Sequence, residues 1–369
     1  MSKRKLSRQQ AFRVQRIQEE RIVRASRRDA AATALLESGE LGAEEEGLVT
    51  AHYGTQIEVE ALQGAHAGRI FRCHLRANLE TLVTGDRVIW QAPAGALREP
   101  PPDTGSAPEG VPPAASSGEN NVRLGVVTAL LPRKTLLVRP DPYGKLKPVA
   151  ANIDCILLVI APFPEPSPLL VDRYLVACEL TGIRPVILLN KADLLTDENA
   201  PAMKALLAPY EAIGYETRHI SAGTGQLHDL SGLIGGRTVV FVGQSGVGKS
   251  SIVNVLLPDA AQKVGALSDA SRLGQHTTTT ARLFHLPGGG TLIDSPGIRE
   301  FGLWHIDEDQ LLAGYVEFQP FLGECRFRNC AHRQEPGCAL RKAVEEGKIA
   351  ADRFERFTRL RDELKAPRA

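Results

Sequence analysis

The chain has 369 residues, of which 43% are hydrophobic and 24% are charged, as is ordinary for a globular protein of two or three domains. Its formal net charge of +1 excludes a uniformly basic or acidic protein. No apolar run approaches the roughly 18 residues that a membrane span needs, and the basic N-terminus lacks the apolar stretch of a secretory signal. We therefore expect a cytoplasmic protein that does not associate with a membrane.

Residues 1–46 form a basic, alanine-rich segment with few aromatic residues. Across residues 3–28, only Glu19 and Glu20 oppose a dense series of lysines and arginines. Such a segment cannot bury a core of its own, and its charge favours a polyanionic partner such as RNA. A solvated tail that only aids solubility is the alternative.

Short stretches of alternating hydrophobicity predict a small β-barrel in residues 47–140. The predicted strands cover residues 56–62, 68–75, 86–91, 125–130 and 135–138. Short strands at this density favour an OB-type barrel, a fold that often binds nucleic acids. A stretch rich in Pro, Gly and Ser, residues 92–121, predicts a long loop within the barrel. A barrel that only packs against its neighbour is the alternative.

From residue 141 to residue 303, predicted strands alternate with predicted helices. The strands cover residues 153–160, 185–189, 216–220 and 238–242, and the helices cover residues 169–180, 203–213 and 249–256. This alternation predicts a parallel sheet with helices on both faces. Beyond it, residues 304–369 predict a helical domain that contains a cluster of cysteines and an amphipathic helix over residues 353–364.

A phosphate-binding loop is predicted between the strand at 238–242 and the helix at 249–256. The sequence Gly-Gln-Ser-Gly-Val-Gly-Lys-Ser at 243–250 matches the P-loop pattern in the position that its chemistry requires. Backbone N–H groups would cradle the phosphates, Lys249 would contact the β- and γ-phosphates, and Ser250 would bind Mg²⁺. The residues assigned to this site are Gly243, Gln244, Ser245, Gly246, Val247, Gly248, Lys249, Ser250 and Ser251.

A guanine-reading motif, Asn-Lys-Ala-Asp at 190–193, follows the strand at 185–189. It therefore lies at the carboxyl edge of the sheet, where ligands collect in open α/β folds. The carboxylate of Asp193 can accept hydrogen bonds from N1 and N2 of guanine, which are donors that adenine lacks. Lys191 can lie along the base, and the segment at Ser221 and Ala222 can offer a backbone N–H to guanine O6. A helix cap formed by Asn190 or Asp193 is the alternative.

Residues for Mg²⁺ and for the γ-phosphate follow the P-loop. Asp294 opens the sequence Asp-Ser-Pro-Gly, in which the carboxylate would hold Mg²⁺ and the N–H of Gly297 would contact the γ-phosphate. Four threonines at 277–280 occupy the position of the Mg²⁺-binding switch threonine, and Thr278 and Thr279 are the best candidates.

The residue after Gly297 is Ile298, where many GTPases have a glutamine that orients the attacking water. Because an isoleucine cannot position water, we expect slow hydrolysis by the isolated protein. His276, next to the threonines, is the candidate for the water-positioning role. A surface histidine without that role is the alternative.

Three cysteines and one histidine near the C-terminus have the spacing of a metal site. Cys325, Cys330, His332 and Cys338 supply three thiolates and one imidazole, which satisfy a closed tetrahedral zinc site. Four protein ligands leave no open position, so the metal would be structural. A redox role has less support because no pair is spaced Cys-x-x-Cys. The remaining cysteines, Cys73, Cys155 and Cys178, lie among apolar residues and are predicted to be buried.

The order of these motifs is the reverse of that in ordinary small GTPases, because the guanine-reading segments precede the P-loop, the threonines and Asp294. With a β-barrel before it and a cysteine cluster after it, this permuted order resembles the ribosome small-subunit-dependent GTPase A family. The resemblance covers roughly residues 47–340.

The resemblance implies a multidomain protein with an OB-type β-barrel, a circularly permuted α/β P-loop GTPase domain and a helical zinc-binding domain. It also implies a monomer that binds the small (30S) ribosomal subunit and 16S rRNA and hydrolyses GTP late in the maturation of that subunit. The expected cofactors are GTP or GDP with Mg²⁺ and one structural Zn²⁺. A nucleotide-gated RNA-binding scaffold with negligible hydrolysis and a P-loop ATPase are the alternatives.

Overall fold

The computed structural model describes residues 32–94, 124–258, 281–295 and 306–365, apart from residues 37, 40, 55, 77–78 and 142–144. The chain divides into two compact units, residues 1–133 and 134–369. Within the described ranges, every helix is too short or too polar to span a bilayer.

The first unit is a closed five-stranded β-barrel. Its strands are β1 (Leu41–Tyr53), β2 (Gln56–Ala61), β3 (Ile70–Leu75), β4 (Arg87–Pro93) and β5 (Gly125–Leu130). β1 pairs with β2 and β4, β2 pairs with β3, β3 pairs with β5 in parallel, and β5 pairs with β4. The circle is therefore complete in the order 1-2-3-5-4, and side chains such as Trp90, Val59 and Val88 fill its interior. The predicted OB-type barrel is confirmed.

The two ends predicted for this barrel differ from those in the structure. Residues 41–46 belong to strand β1 and not to a tail without a core, while residues 135–138 lie in the second unit. The consecutive carboxylates of Glu44, Glu45 and Glu46 hide the strand in the sequence. In the barrel they have partners, because Glu46 pairs with Arg87 at 2.6 Å and Glu45 lies 3.3 Å from the ring of His66.

The second unit contains a hairpin and a largely parallel sheet. The hairpin consists of β6 (Leu136–Pro140) and β7 (Leu146–Ala151), and the sheet contains β8 (Cys155–Ile160), β9 (Arg184–Leu189), β10 (Glu216–His219), β11 (Thr238–Val242), β12 (Arg282–His285) and β13 (Thr291–Asp294). Along the sheet the order is β10-β9-β8-β11-β13-β12, and β12 is antiparallel to its neighbour. The helices among these strands are α1 (Pro168–Thr181), α2 (Ala200–Ala212), α3 (His228–Ile234) and α4 (Lys249–Leu256).

Apolar strands and local capping account for this architecture. Every residue of β8 is apolar and buried, as expected for a central strand that is covered on both faces. Helix α1 begins after Ser167, whose hydroxyl accepts from the Leu170 N–H, and ends at Gly182 in the left-handed region. Because the strands from β8 to β11 run parallel, the loops that follow β9, β10 and β11 share one edge of the sheet.

The C-terminal part of the second unit is helical, as predicted. It contains α5 (Glu308–Ala313), a 3₁₀ helix (Val316–Phe321), α6 (Ala339–Glu345) and α7 (Ala351–Lys365). Its apolar core includes Tyr315, Phe318 and Phe357, and Val176 of α1 belongs to the same cluster. The helical part therefore packs against α1, one of the helices that connect the strands of the sheet.

A buried ion-pair network, which sequence reasoning missed, joins α1 to α7. The fully buried Asp172 accepts from Arg353 at 2.6 Å, from Arg356 at 2.7 Å and from the hydroxyl of Tyr210 at 2.7 Å. Arg353 also donates to Glu317 at 2.7 Å. Each charge is thus paired, which a buried network requires if it is to be stable.

Candidate nucleotide site and metal centre

The loop between β11 and α4 adopts a conformation that only glycine accommodates at two positions. Gly243 has a φ of +135°, and a Cβ atom there would lie 2.2 Å from the carbonyl oxygen of Val159 on β8. Gly248 has a φ of +96°, and a Cβ atom there would lie 2.3 Å from Nδ2 of Asn190. The side chain of Lys249 folds back over the loop and donates to the carbonyls of Gly243 and Gln244 at 2.8 and 2.6 Å.

Asn190 connects three loops at the carboxyl edge of the sheet. Its side chain is buried, and Nδ2 donates to the carbonyl of Val247 in the P-loop at 2.9 Å. Its Oδ1 accepts from the backbone N–H of Ala222 at 3.1 Å. The two predicted guanine-motif segments and the P-loop, which are separate in sequence, therefore lie next to one another. The sequence placed Asn190 in the guanine motif but did not indicate this connecting role.

Lys191 and Asp193 extend from the same turn. Lys191 has a φ of +59°, and its Nζ donates to the carbonyls of Gly246 at 2.8 Å and Phe163 at 2.9 Å. The Lys191 side chain thus lies across the P-loop. The backbone N–H of Asp193 donates to the hydroxyl of Ser221 at 3.0 Å, and the Asp193 residue is exposed to solvent.

Two of the residues predicted to bind Mg²⁺, Ser250 and Asp294, lie together. Lys249, Ser250 and Asp294 line one small cleft between α4 and the end of β13. Ser245 and Ser251 lie in the P-loop and in the first turn of α4. The candidate residues Gly297, His276, Thr278 and Thr279 lie outside the described residues, so their roles stay predictions.

The predicted metal ligands converge on one point in the helical part. The ligand atoms of Cys325, Cys330, His332 and Cys338 all lie within 4.8 Å of one another. Nδ1 of His332 lies 3.6 Å from Sγ of Cys325 and 3.4 Å from Sγ of Cys338, so Nδ1 is the nitrogen that faces the sulfurs. The N–H of Ala339 donates to Sγ of Cys325 at 3.3 Å. Three soft sulfurs and one imidazole fit Zn²⁺.

A carboxylate shapes the loop that carries these ligands. Glu335 accepts from the backbone N–H groups of Ala331, Arg333 and Gln334 at 3.1, 2.8 and 3.1 Å. Hydrogen bonds from backbone N–H groups lower the pKa of its carboxyl group. The N–H of Glu335 itself has the largest effect, followed by those of Arg333, Ala331 and Gln334. The loop between Cys330 and Cys338 is therefore folded by contacts of its own.

Known proteins match this chain over nearly its full length. Residues 130–304 match the family model described as RsgA GTPase. A small ribosomal subunit biogenesis GTPase RsgA from Hahella chejuensis is 54% identical over 365 residues, covering 99% of this chain and 97% of the relative. One of the same description from Pseudomonas fluorescens is 53% identical over 358 residues, covering 97% and 96%. This chain belongs to the RsgA GTPase family.

Solved structures agree with the fold of this RsgA family member. The crystal structure of YjeQ from Thermotoga maritima matches with 29% identity and a TM-score of 0.66, covering 88% of this chain and 100% of that chain. The structure of YloQ, described as a circularly permuted GTPase, matches with 26% identity and a TM-score of 0.64, covering 89% and 98%. The expected family and the permuted fold are confirmed.

As an RsgA family member, the chain is a GTP hydrolase that binds its substrate GTP and its product GDP together with Mg²⁺. The alternatives of a P-loop ATPase and of a scaffold without hydrolysis are not favoured.

Proposed function

We propose that this RsgA family member acts in the cytoplasm as a monomer, binds the small (30S) ribosomal subunit and its 16S rRNA, and hydrolyses GTP late in the maturation of that subunit. The names of its relatives, small ribosomal subunit biogenesis GTPase RsgA, support the subunit and the process. The contact between Asn190 and Val247 supports the placement of one guanine nucleotide across the two motifs.

Guanine would be read by the turn after β9. The exposed carboxylate of Asp193 would accept from N1 and N2 of the base, and Lys191, held across the P-loop by Gly246, would lie along the base. The N–H of Ala222 already donates to Asn190, so guanine O6 would share or replace that acceptor. Loss of the two base donors in adenine would leave the Asp193 carboxylate without partners.

The phosphates would be bound by the P-loop and the start of α4. The backbone N–H groups of residues 243–249 would surround the phosphate oxygens, and Lys249 would exchange its carbonyl contacts for them. Ser250 and Asp294, which line one cleft with Lys249, would hold Mg²⁺, and the ion would neutralise phosphate charge.

Hydrolysis would depend on residues that follow the P-loop. Because Ile298 cannot orient water, we assign the water-positioning role to His276, and we assign Mg²⁺ binding to Thr278 or Thr279. His276→Ala should abolish stimulated hydrolysis while GTP binding persists. Loss of binding in this variant would refute the assignment.

The Cys₃His cluster would hold one structural Zn²⁺. The ion would fix the conformation of a loop whose exposed cationic and aromatic groups could bind rRNA. Phe327 is 43% exposed, and the guanidinium of Arg326 lies 5.5 Å from its ring centre. Arg328 and Arg333 would add charge for phosphate contacts, as would the lysines and arginines within residues 3–28.

Turnover of GTP with and without purified small subunits tests the proposal. We expect slow hydrolysis by the chain alone and a large increase with small subunits, whereas large subunits serve as the control. An excess of ATP should leave GTP turnover unchanged. A turnover rate that small subunits do not alter would contradict the proposed function.

A further inference from the structure

The guanidinium of Arg361 is buried beside the metal-ligand loop and only partly satisfied. Arg361 lies on α7 and is 2% exposed. One terminal nitrogen donates to the carbonyl of Ala331, the residue between two of the metal ligands, Cys330 and His332. In the described part of the chain, Nε and the other terminal nitrogen have no hydrogen-bond partner. The group also lies over the ring of Phe357, with 5.3 Å to the ring centre.

A buried, partly unpaired cation requires an explanation, because desolvation disfavours it. The neighbouring arginines are not buried to the same extent. Arg333 is exposed and pairs with the exposed Asp362, and Arg341 is half-buried and donates to the carbonyl of Arg333. Arg361 is therefore the fully buried cation that contacts the ligand loop in the described residues.

The donor set next to Arg361 would be anionic when it binds metal. Three thiolates and one neutral imidazole around Zn²⁺ leave one net negative charge. A half-buried anionic centre is stabilised by a nearby cation and by N–H donors, and outer contacts of this kind raise metal affinity. One N–H donor to a sulfur is present already, from Ala339 to Cys325.

We propose that Arg361 is a positioning residue of the metal centre. It fixes the backbone at Ala331, and its positive charge compensates the thiolates, so that zinc binds more tightly. This inference rests on the proposed zinc site. It also explains why an arginine occupies an inward-facing position of α7 among apolar residues such as Phe357 and Leu360.

Zinc affinity of the full chain tests the role of Arg361. Metal content is measured first on the wild-type protein, and affinity then comes from competition with a chromophoric chelator. Arg361→Met, which keeps volume and removes charge, should weaken zinc binding roughly 10- to 100-fold. Arg361→Lys, which keeps charge, should retain more affinity than Arg361→Met. Arg359→Met removes a charge from the exposed face of the same helix and should not change the affinity.

Each outcome separates the two proposals. A wild-type chain without stoichiometric zinc would overturn the zinc site and this inference together. Zinc that binds equally to Arg361→Met and Arg359→Met would overturn the role of Arg361 alone. Equal losses in Arg361→Met and Arg361→Lys would refute charge compensation. Wild-type GDP affinity in each variant shows that the rest of the chain is folded, and Arg361→Gln replaces any variant that fails this control.

Discussion

Nδ2 of Asn190 lies 2.9 Å from the carbonyl oxygen of Val247, although 57 positions separate the two residues in the chain. Each belongs to a different nucleotide motif. The hydrogen bond joins the segment predicted to read the base to the loop predicted to bind the phosphates. The next residue, Gly248, lacks a side chain and so allows Asn190 to approach.

Removing the Asn190 side chain should weaken nucleotide binding. Asn190→Ala deletes bonds to Val247 and Ala222 and leaves two buried backbone groups unpaired, at about 1–3 kcal/mol each. We expect GDP to bind roughly 10- to 100-fold more weakly in a fluorescence titration. Asn199→Ala is the control, since among the described residues its amide group hydrogen-bonds to Thr196 and Leu194 and not to the predicted nucleotide motifs. Equal losses in both variants would indicate general instability.

A methyl group at Gly248 should disturb the same junction. In Gly248→Ala, Cβ would approach Nδ2 of Asn190 to 2.3 Å at a φ of +96°. Because both the contact and the backbone angle are unfavourable, GDP affinity should fall at least as far as in Asn190→Ala. Gly232→Ala, in α3 with open space around the new methyl group, should bind GDP normally. Normal GDP binding by Gly248→Ala would contradict the described loop geometry.

Changing the Asp193 carboxylate to an amide should change the preferred base. Asp193→Asn replaces two acceptor oxygens by one acceptor and one donor, so it no longer matches N1 and N2 of guanine. Xanthine carries an oxygen at position 2 and should bind the amide better. Competition of GTP and XTP for the site measures the switch, with Asp197→Asn, an exposed neighbour, as the control. An unchanged preference for GTP would place the base elsewhere.

Strong local signals made the α/β part predictable from sequence. The strand at 238–242 and the helix at 249–256 match the observed bounds because an apolar run, a P-loop and a helix follow one another. The start of strand β1 was missed because three adjacent glutamates are typical of a solvated segment. In the folded barrel, Arg87, His66 and Thr128 from other strands and loops contact these glutamates.

Contacts between distant segments had no local signal. The pairing of residues 136–140 with 146–151 required knowledge of the partner strand, since alternation alone does not identify it. Asp172 and Arg353 lie 181 positions apart, and nothing near either residue indicates the other. In the same way, the motif predicted that Asn190 belongs to the site, but only the fold shows which carbonyl it contacts.

Breaking the buried network between α1 and α7 should destabilise the second unit. Asp172→Asn leaves Arg353 and Arg356 without a counter-charge at this position, which costs about 3 kcal/mol. Chemical denaturation measures the change. Glu363→Gln is the matched control, because its pair with Arg173 joins the same helices at the surface and should contribute only about 0–1 kcal/mol. Equal effects would show that burial of the network does not matter.

Three buried cysteines, Cys73, Cys155 and Cys178, should resist alkylation in the native chain. Burial raises the pKa of Cys155 to about 11, and it raises the pKa of Cys73 and Cys178 as well. A raised thiol pKa means less thiolate at about pH 8, so iodoacetamide should not label these residues in the native chain. Mass spectrometry of the labelled chain would show whether these three cysteines are spared. Rapid labelling of Cys178 in the native chain would contradict its burial.

The position of β11 in the sheet bears on how the protein is synthesised. β11 lies between β8, which precedes it in the chain, and β13, which follows it. During translation the segments predicted to read guanine therefore emerge first, and the predicted phosphate loop follows only after β11. We therefore expect that a nascent chain ending before residue 243, which lacks the predicted phosphate loop, does not retain GTP.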